Sequence, residues 1–248
     1  MITLKTEIQI DGIRKSAKIL GSLHRELNGL LKVGMTTEEI DKFCYDFIVG
    51  HNAVPAFLGY MDYPASACIS INEEIIHGIP GKRVLNDGDV VSIDLGVILN
   101  GYFSDAAQTI IIGTANPETK KLVEVTKECL DAAIKAAGTG KRINDISRAV
   151  FNHANKNGYG VVREYCGHGV GLALHEEPQI SNYVSSGQNP RIRPGMVLAI
   201  EPMVNMGSRK IVHLDDGWTV ITADSLPSAH WEHTIAVHKD HIEVLTAF

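Results

Sequence analysis

The stretch "VVSIDLGVILNGYFSDAAQTIII", Val90 to Ile112, decides how the chain is read. Two acids, Asp94 and Asp105, sit inside strongly apolar segments. A buried carboxylate is costly unless something compensates it. Asn100-Gly101 is a strong signal for a two-residue hairpin turn. With that turn Leu99 pairs with Tyr102, Asp94 lies opposite Ala107, and Asp105 lies opposite Gly96. Side chains alternate faces along a strand, so both acids project from one face as diagonal neighbours, roughly 7–8 Å apart at the backbone. Their direct partners are small and leave room between them. No lysine or arginine occurs between Val90 and Ile112. Either the two acids face solvent, or a bound cation compensates them.

Further acids stand in similar settings. "LAIEPMV" places Glu201 in a third apolar run, and "AHWEHTIAV" places Glu232 in a fourth. "CGHGVG" sets His168 among glycines, where backbone can approach a ligand. Four carboxylates and one imidazole form an oxygen-rich shell suited to divalent Mn, Fe, Co or Zn. The four carboxylates carry four negative charges, which two divalent ions would balance and one would not. Such pairs of ions activate a water and polarise a carbonyl or phosphoryl oxygen.

The bulk properties fit an ordinary folded chain. Its 248 residues are 44% hydrophobic and 21% charged, with a net charge of -6. That balance gives no support for specific nucleic-acid binding, which needs a basic face. No segment approaches the ~18 apolar residues of a membrane span, and the first residues lack the apolar core of a signal peptide. Cys44, Cys68, Cys129 and Cys166 are widely spread without a CxxC pair, which points to free thiols and a cytoplasmic location.

Helical periodicity predicts four helices: about Glu7 to Leu31, Thr36 to Gly50, Asn116 to Gly138 and Asn144 to Asn157. Thr36 and Glu39 have capping-box spacing, and Pro117 suits a first helical position. Beyond Gly158 the pattern changes to short β-rich runs bounded by turn residues. A weak internal echo relates "DAAQTIII", from Asp105, to "EHTIAV", from Glu232. Residues 1–248 are read as one domain.

The five candidate ligands, in this order and context, resemble the methionine aminopeptidases of the "pita-bread" metallopeptidase family. "NEEIIHGIP", "DLGVILNGYFSD", "YCGHGVGLALHEEPQI", "PGMVLAIEPM" and "WEHTIAV" carry the resemblance across nearly the whole chain. It implies an α+β fold: a curved antiparallel sheet with two helix pairs on its outer face and two pseudo-twofold halves. It implies two divalent ions held by Asp94, Asp105, His168, Glu201 and Glu232, with Asp105 and Glu232 bridging. It gives His77 a place near the scissile amide nitrogen, His175 the developing oxyanion, and Glu201 a second role as proton shuttle. Phe57, Tyr60, Tyr63, Cys68 and Trp218 are the implied methionine pocket.

The reaction implied is removal of N-terminal methionine from nascent proteins and peptides with a small second residue. By that rule the bulky Ile2 retains this chain's own Met1. The short interval between His168 and Glu201, and the lack of a zinc-binding extension before the first helix, fit the compact bacterial-like type I form. Phe57 and Leu174 depart from common family residues, a smaller cysteine and an aromatic, and bear on pocket shape. A monomer is expected, and a transient ribosome contact is left open. The remaining histidines, including His24, His230 and His233, are read as surface or structural. The rival readings are a proline-specific aminopeptidase of the same fold and an inactive binding homologue.

Overall fold

The computed structural model describes residues 1–248. Four helices form where the periodicity predicts them: α1 (Glu7–Leu30), α2 (Thr37–Gly50), α3 (Pro117–Ala136) and α4 (Ile143–Lys156). Each start is held by a local cap. The Glu39 amide donates to Thr36 Oγ1 at 3.2 Å, and the Thr36 amide donates to Glu39 Oε2 at 2.8 Å. Asn116 Oδ1 accepts from the Thr119 amide at 2.8 Å, ahead of Pro117. These bonds satisfy first-turn amides that lack intrahelical partners.

Every strand pairing is antiparallel. The long hairpin of Val90–Leu99 and Tyr102–Ile111 has the register expected from its turn, with Asp94 opposite Ala107 and Asp105 opposite Gly96. Ala67–Ile71 and Val54–Pro55 flank Val90–Leu99. The larger sheet of the second half runs in the order Ile242–Val244, His233–Val237, Val197–Ile200, Cys166–Gly169 and Glu176–Ser181. Two three-stranded ladders complete the β structure. Ala67–Ile71 is buried at every position, so it shows no alternation that would announce a strand.

The two halves have comparable cores. α1 and α2 cover the first sheet through 17 buried residues, including Leu20, Leu27, Ile40, Ile48, Val91 and Ile93. α3 and α4 cover the second through 20, including Leu122, Val125, Ile146, Val150 and Leu198. The repeated arrangement accounts for the internal echo.

The halves meet along a seam beside the hairpin. The Glu232 amide donates to Ala107 O at 2.8 Å, and the Ala107 amide donates back to Glu232 O at 3.4 Å. Thr234 Oγ1 donates to Asp105 O at 2.7 Å and accepts from the Asp105 amide at 3.1 Å. Thr109 Oγ1 likewise donates to His230 O and accepts from the His230 amide. This two-way pairing fixes one acid from each half, Asp105 and Glu232, side by side.

Candidate metal centre and active site

The principal cavity, about 520 Å³, opens over this seam. Asp94 and Asp105 reach it from the long hairpin. His168 comes from Cys166–Gly169, Glu201 follows Val197–Ile200, and Glu232 precedes His233–Val237. One atom each from Asp105, His168 and Glu232 lies within 4.8 Å of the others. Glu201 Oε1 stands 3.5 Å from His168 Nε2, and Asp105 Oδ2 stands 3.8 Å from the same nitrogen.

The donor set fits divalent cations. Asp94 Oδ1, Asp105 Oδ1 and Glu232 Oε1 are buried without a hydrogen-bond partner. No lysine or arginine lines the cavity. Burial, reinforced by neighbouring acids, raises Asp105 and Glu232 well above the usual carboxylate range, and Glu201 rises for the same reasons. Burial also raises Asp94, against a hydrogen bond from Asp105. Carboxylates crowded in this way need a strong local positive charge to ionise together.

His168 is prepared as a nitrogen ligand. Its Nδ1 lies 2.9 Å from Gly169 O, a group that only accepts, so the proton belongs on Nδ1. Nε2 then turns its lone pair toward Asp105 and Glu201. Burial lowers the His168 pKa to about 3, which keeps the ring neutral.

The other expected residues line the same cavity. His175 meets His168 with ring centroids 4.4 Å apart, and the Tyr60 hydroxyl lies 2.8 Å from His175 Nδ1. Burial lowers the His175 pKa, so the ring is neutral near pH 7. His77 is held in a left-handed conformation, φ 59°, a strained state for a residue with a Cβ. Its ring stands edge-on to Tyr165 at 5.4 Å and to Trp218 at 6.2 Å. Phe57, Tyr63, Cys68 and Leu174 form a buried apolar cluster beside Trp218. The Tyr63 hydroxyl donates out of the cavity to Gly78 O at 2.9 Å, which leaves the ring as pocket wall.

The structure brings further residues to the site. Tyr165 and Cys166 line the cavity. His230, expected to be merely surface or structural, is 1% exposed and brings an unpartnered Nε2 to 3.7 Å from Glu201 Oε2. That placement rules out the surface half of the expectation for His230. It ends the strand Ser228–His230, two residues before Glu232. His24 is structural as expected, fully buried with Nε2 at 2.9 Å from Ala106 O.

Comparison with known proteins agrees with the geometry. The model of Metallopeptidase family M24 matches residues 11–239. A methionine aminopeptidase of Treponema pallidum is 53% identical over 247 residues, covering 99% of this chain and 96% of its own length. The crystal structure of methionine aminopeptidase from Thermotoga maritima superposes with a TM-score of 0.97 at 40% identity, covering 100% of both chains. The prolidase from Pyrococcus furiosus is more distant: TM-score 0.80, 25% identity, with 99% of this chain matching 65% of that one. The same fold therefore serves proline-directed enzymes, but full-length likeness lies with the methionine enzymes. A metal-ready carboxylate cluster, an aromatic pocket beside it and similarity along the whole chain lead to one conclusion: the chain belongs to metallopeptidase family M24, among its bacterial type I-like methionine aminopeptidases.

Proposed function

We propose that this chain removes N-terminal methionine from peptides and nascent proteins whose second residue is small. The observation that carries the proposal is the convergence of four carboxylates and His168, without any lysine or arginine, at one end of an aromatic-walled cavity. In this reading Asp94, Asp105, His168, Glu201 and Glu232 would hold two divalent ions, with Asp105 and Glu232 contributing one acid from each half at the seam. When bound, the ions supply the positive charge these acids need, make water more acidic and polarise the scissile carbonyl.

The chain's own residues do the rest. Glu201 takes a proton from the attacking water and delivers it to the leaving amine. His230 Nε2 stands 3.7 Å from Glu201 Oε2, on the protein side of that carboxylate. With the Tyr60 hydroxyl donating to His175 Nδ1, the His175 proton sits on Nε2 and is donated to the carbonyl oxygen as charge develops. His77 is directed at the scissile amide nitrogen. Phe57, Tyr63, Cys68 and Trp218 surround the methionine side chain, whose flexible thioether packs well against aromatic rings. Residues 1–248 act as a single catalytic unit, since both halves contribute to one cavity, and four free cysteines support a cytoplasmic location.

The test is cleavage of Met-Ala-Ser and Met-Ile-Ser by metal-stripped protein, before and after adding Mn, Fe, Co or Zn. Metal-dependent release from Met-Ala-Ser alone is expected. Release from both peptides would keep the hydrolase and remove the second-residue rule. No release with any ion, from folded and metal-binding protein, would overturn the function in favour of an inactive binding homologue.

A further inference from the structure

The segment before α1 crosses from one half of the molecule to the other. Ile2 packs against the second-half core. The Lys5 amide donates to Gly195 O at 2.7 Å. Thr6 then caps α1, whose first turns pack on the second sheet through Ile10, Ile13 and Ala17 and whose later turns cover the first through Leu20, Leu23 and Leu27. Within this strap the Lys5 side chain is 1% exposed, an unusual setting for a lysine. Its Nζ donates to Glu176 Oε2 at 2.7 Å and to Thr3 O at 3.4 Å.

The other oxygen of the same carboxylate holds a loop. Glu176 Oε1 accepts from the Leu172 amide at 2.7 Å and the Ala173 amide at 3.1 Å. These residues belong to the short connection between His168 and His175. The connection packs onto the strap: a Cβ at Gly171, φ +134°, would stand 2.4 Å from Ile13 Cδ1 and 3.3 Å from Lys5 Cε. Glu176 itself is the residue after His175. Removing the Lys5 ammonium would leave a largely buried carboxylate unpaired, which is strongly unfavourable. Glu176 would turn toward water, release the two amides and free the loop that sets the His175 ring.

We propose that Lys5 is a positioning residue for catalysis, acting through Glu176 to fix the loop that carries His175. The proposal rests on the oxyanion role given to His175 above. Its substrate-independent face is that a residue far along the chain from every candidate ligand controls turnover without touching substrate.

The experiment is a double-mutant cycle on the metal-loaded protein with Met-Ala-Ser, using Lys5→Met, His175→Ala and both together. His175→Ala should lower kcat by about 10²–10³. Lys5→Met should lower kcat by roughly 10–100-fold, since small misplacements of a catalytic group are costly, with KM within about twofold. The pair should be no slower than His175→Ala alone, because the ring that Lys5 positions is gone. Amide exchange at Leu172 and Ala173 should quicken in Lys5→Met. If Lys5→Met fails to fold, Lys5→Arg, which keeps the charge in a different shape, takes its place in the same cycle with a smaller fall. Unchanged kcat in the lysine variant would overturn the proposal. So would an equal fall with and without His175, which would mark general damage. Full activity in His175→Ala would instead defeat the oxyanion reading, and this proposal with it.

Discussion

The two halves of the molecule share a plan and differ in regularity. Each packs two helices on an antiparallel sheet through a core of similar size. The first half carries its two acids on one hairpin of ten-residue strands with an unbroken register. The second carries His168, Glu201 and Glu232 on or beside strands of four or five residues, with a register shift between Gly167 and Gly169. The regular half can set ligand direction by strand parity alone. The irregular half bends its chain so that three separate segments reach one point, and it relies on cross-links such as Thr234 with Asp105 to hold them.

If metal joins the halves, its removal should have the largest effect. Chelation should abolish methionine release, and it should also change how stability responds to pH. In the metal-free protein burial raises the four carboxylates, Asp94 to about 7, while in the unfolded chain they titrate at the ordinary values of about 3.8 for Asp and 4.5 for Glu. The native state then binds more protons than the unfolded state once the pH exceeds about 4, so stability falls as pH rises through 7. Buried histidines such as His24 and His230, held neutral with pKa values of about 3, pull the other way up to about pH 6.5 with or without metal. Thermal unfolding at about pH 5 and pH 7.5 should therefore show a less favourable pH trend in the stripped protein than in the Mn-loaded one, and identical trends would mean the acids of the two halves are not mutually crowded.

Next in size is Glu201→Gln, in the second half. It should lower kcat by about 10²–10⁴, the usual worth of a positioned acid–base group, measured on Met-Ala-Ser at saturating metal. A loss of less than tenfold would remove Glu201 as the proton carrier.

The difference in regularity is tested by insertion. One extra glycine after Gly101 should turn Asp105 to the opposite face, because side-chain direction has a period of two, and should cost a metal equivalent by calorimetric titration. One extra glycine after Gly187, in an exposed bend of the second half, should leave metal content unchanged and the rate within about twofold. Equal tolerance at both places would show that parity does not set the site.

The smallest effect sharpens the same comparison. At Gly96 an added Cβ meets side chains, Ala56 Cβ at 2.7 Å and Phe57 Cε1 at 2.8 Å. At Gly167 it meets backbone, Ala199 O at 2.4 Å. Gly96→Ala should cost about 1–3 kcal/mol, the range for overpacking, by shifting the Phe57 wall. Gly167→Ala should cost more, because a hydrogen-bonded strand yields less readily than a ring. Urea unfolding of both variants gives the order, and the reverse order would mark the second half as the softer one.

Much of this was legible in residues close together in the chain. The four helices follow from apolar periodicity and from caps such as Thr36 with Glu39. The hairpin register follows from Asn100-Gly101, and with it the shared face of Asp94 and Asp105. Glu201, Glu232 and His168 stood out as chemistry, since acids in apolar runs and a histidine among glycines are poor structural choices, but their convergence with the hairpin came from family likeness. His230 and Lys5 were not legible. A buried histidine and a surface histidine look alike in sequence, and a lysine in a charged N-terminal stretch gives no hint that its ammonium meets Glu176.

The sequence by itself determined the caps, the turn, the strand parity and the inventory of metal-binding groups, because each depends on spacing within a few residues and on intrinsic side-chain chemistry. Only the tertiary structure decided that Asp105 and Glu232 lie side by side across the seam, that His230 backs Glu201, and that the Lys5 strap reaches the loop of His175. Those contacts join segments far apart along the chain. They are fixed by how two helix-covered sheets pack together, a geometry that no local pattern encodes.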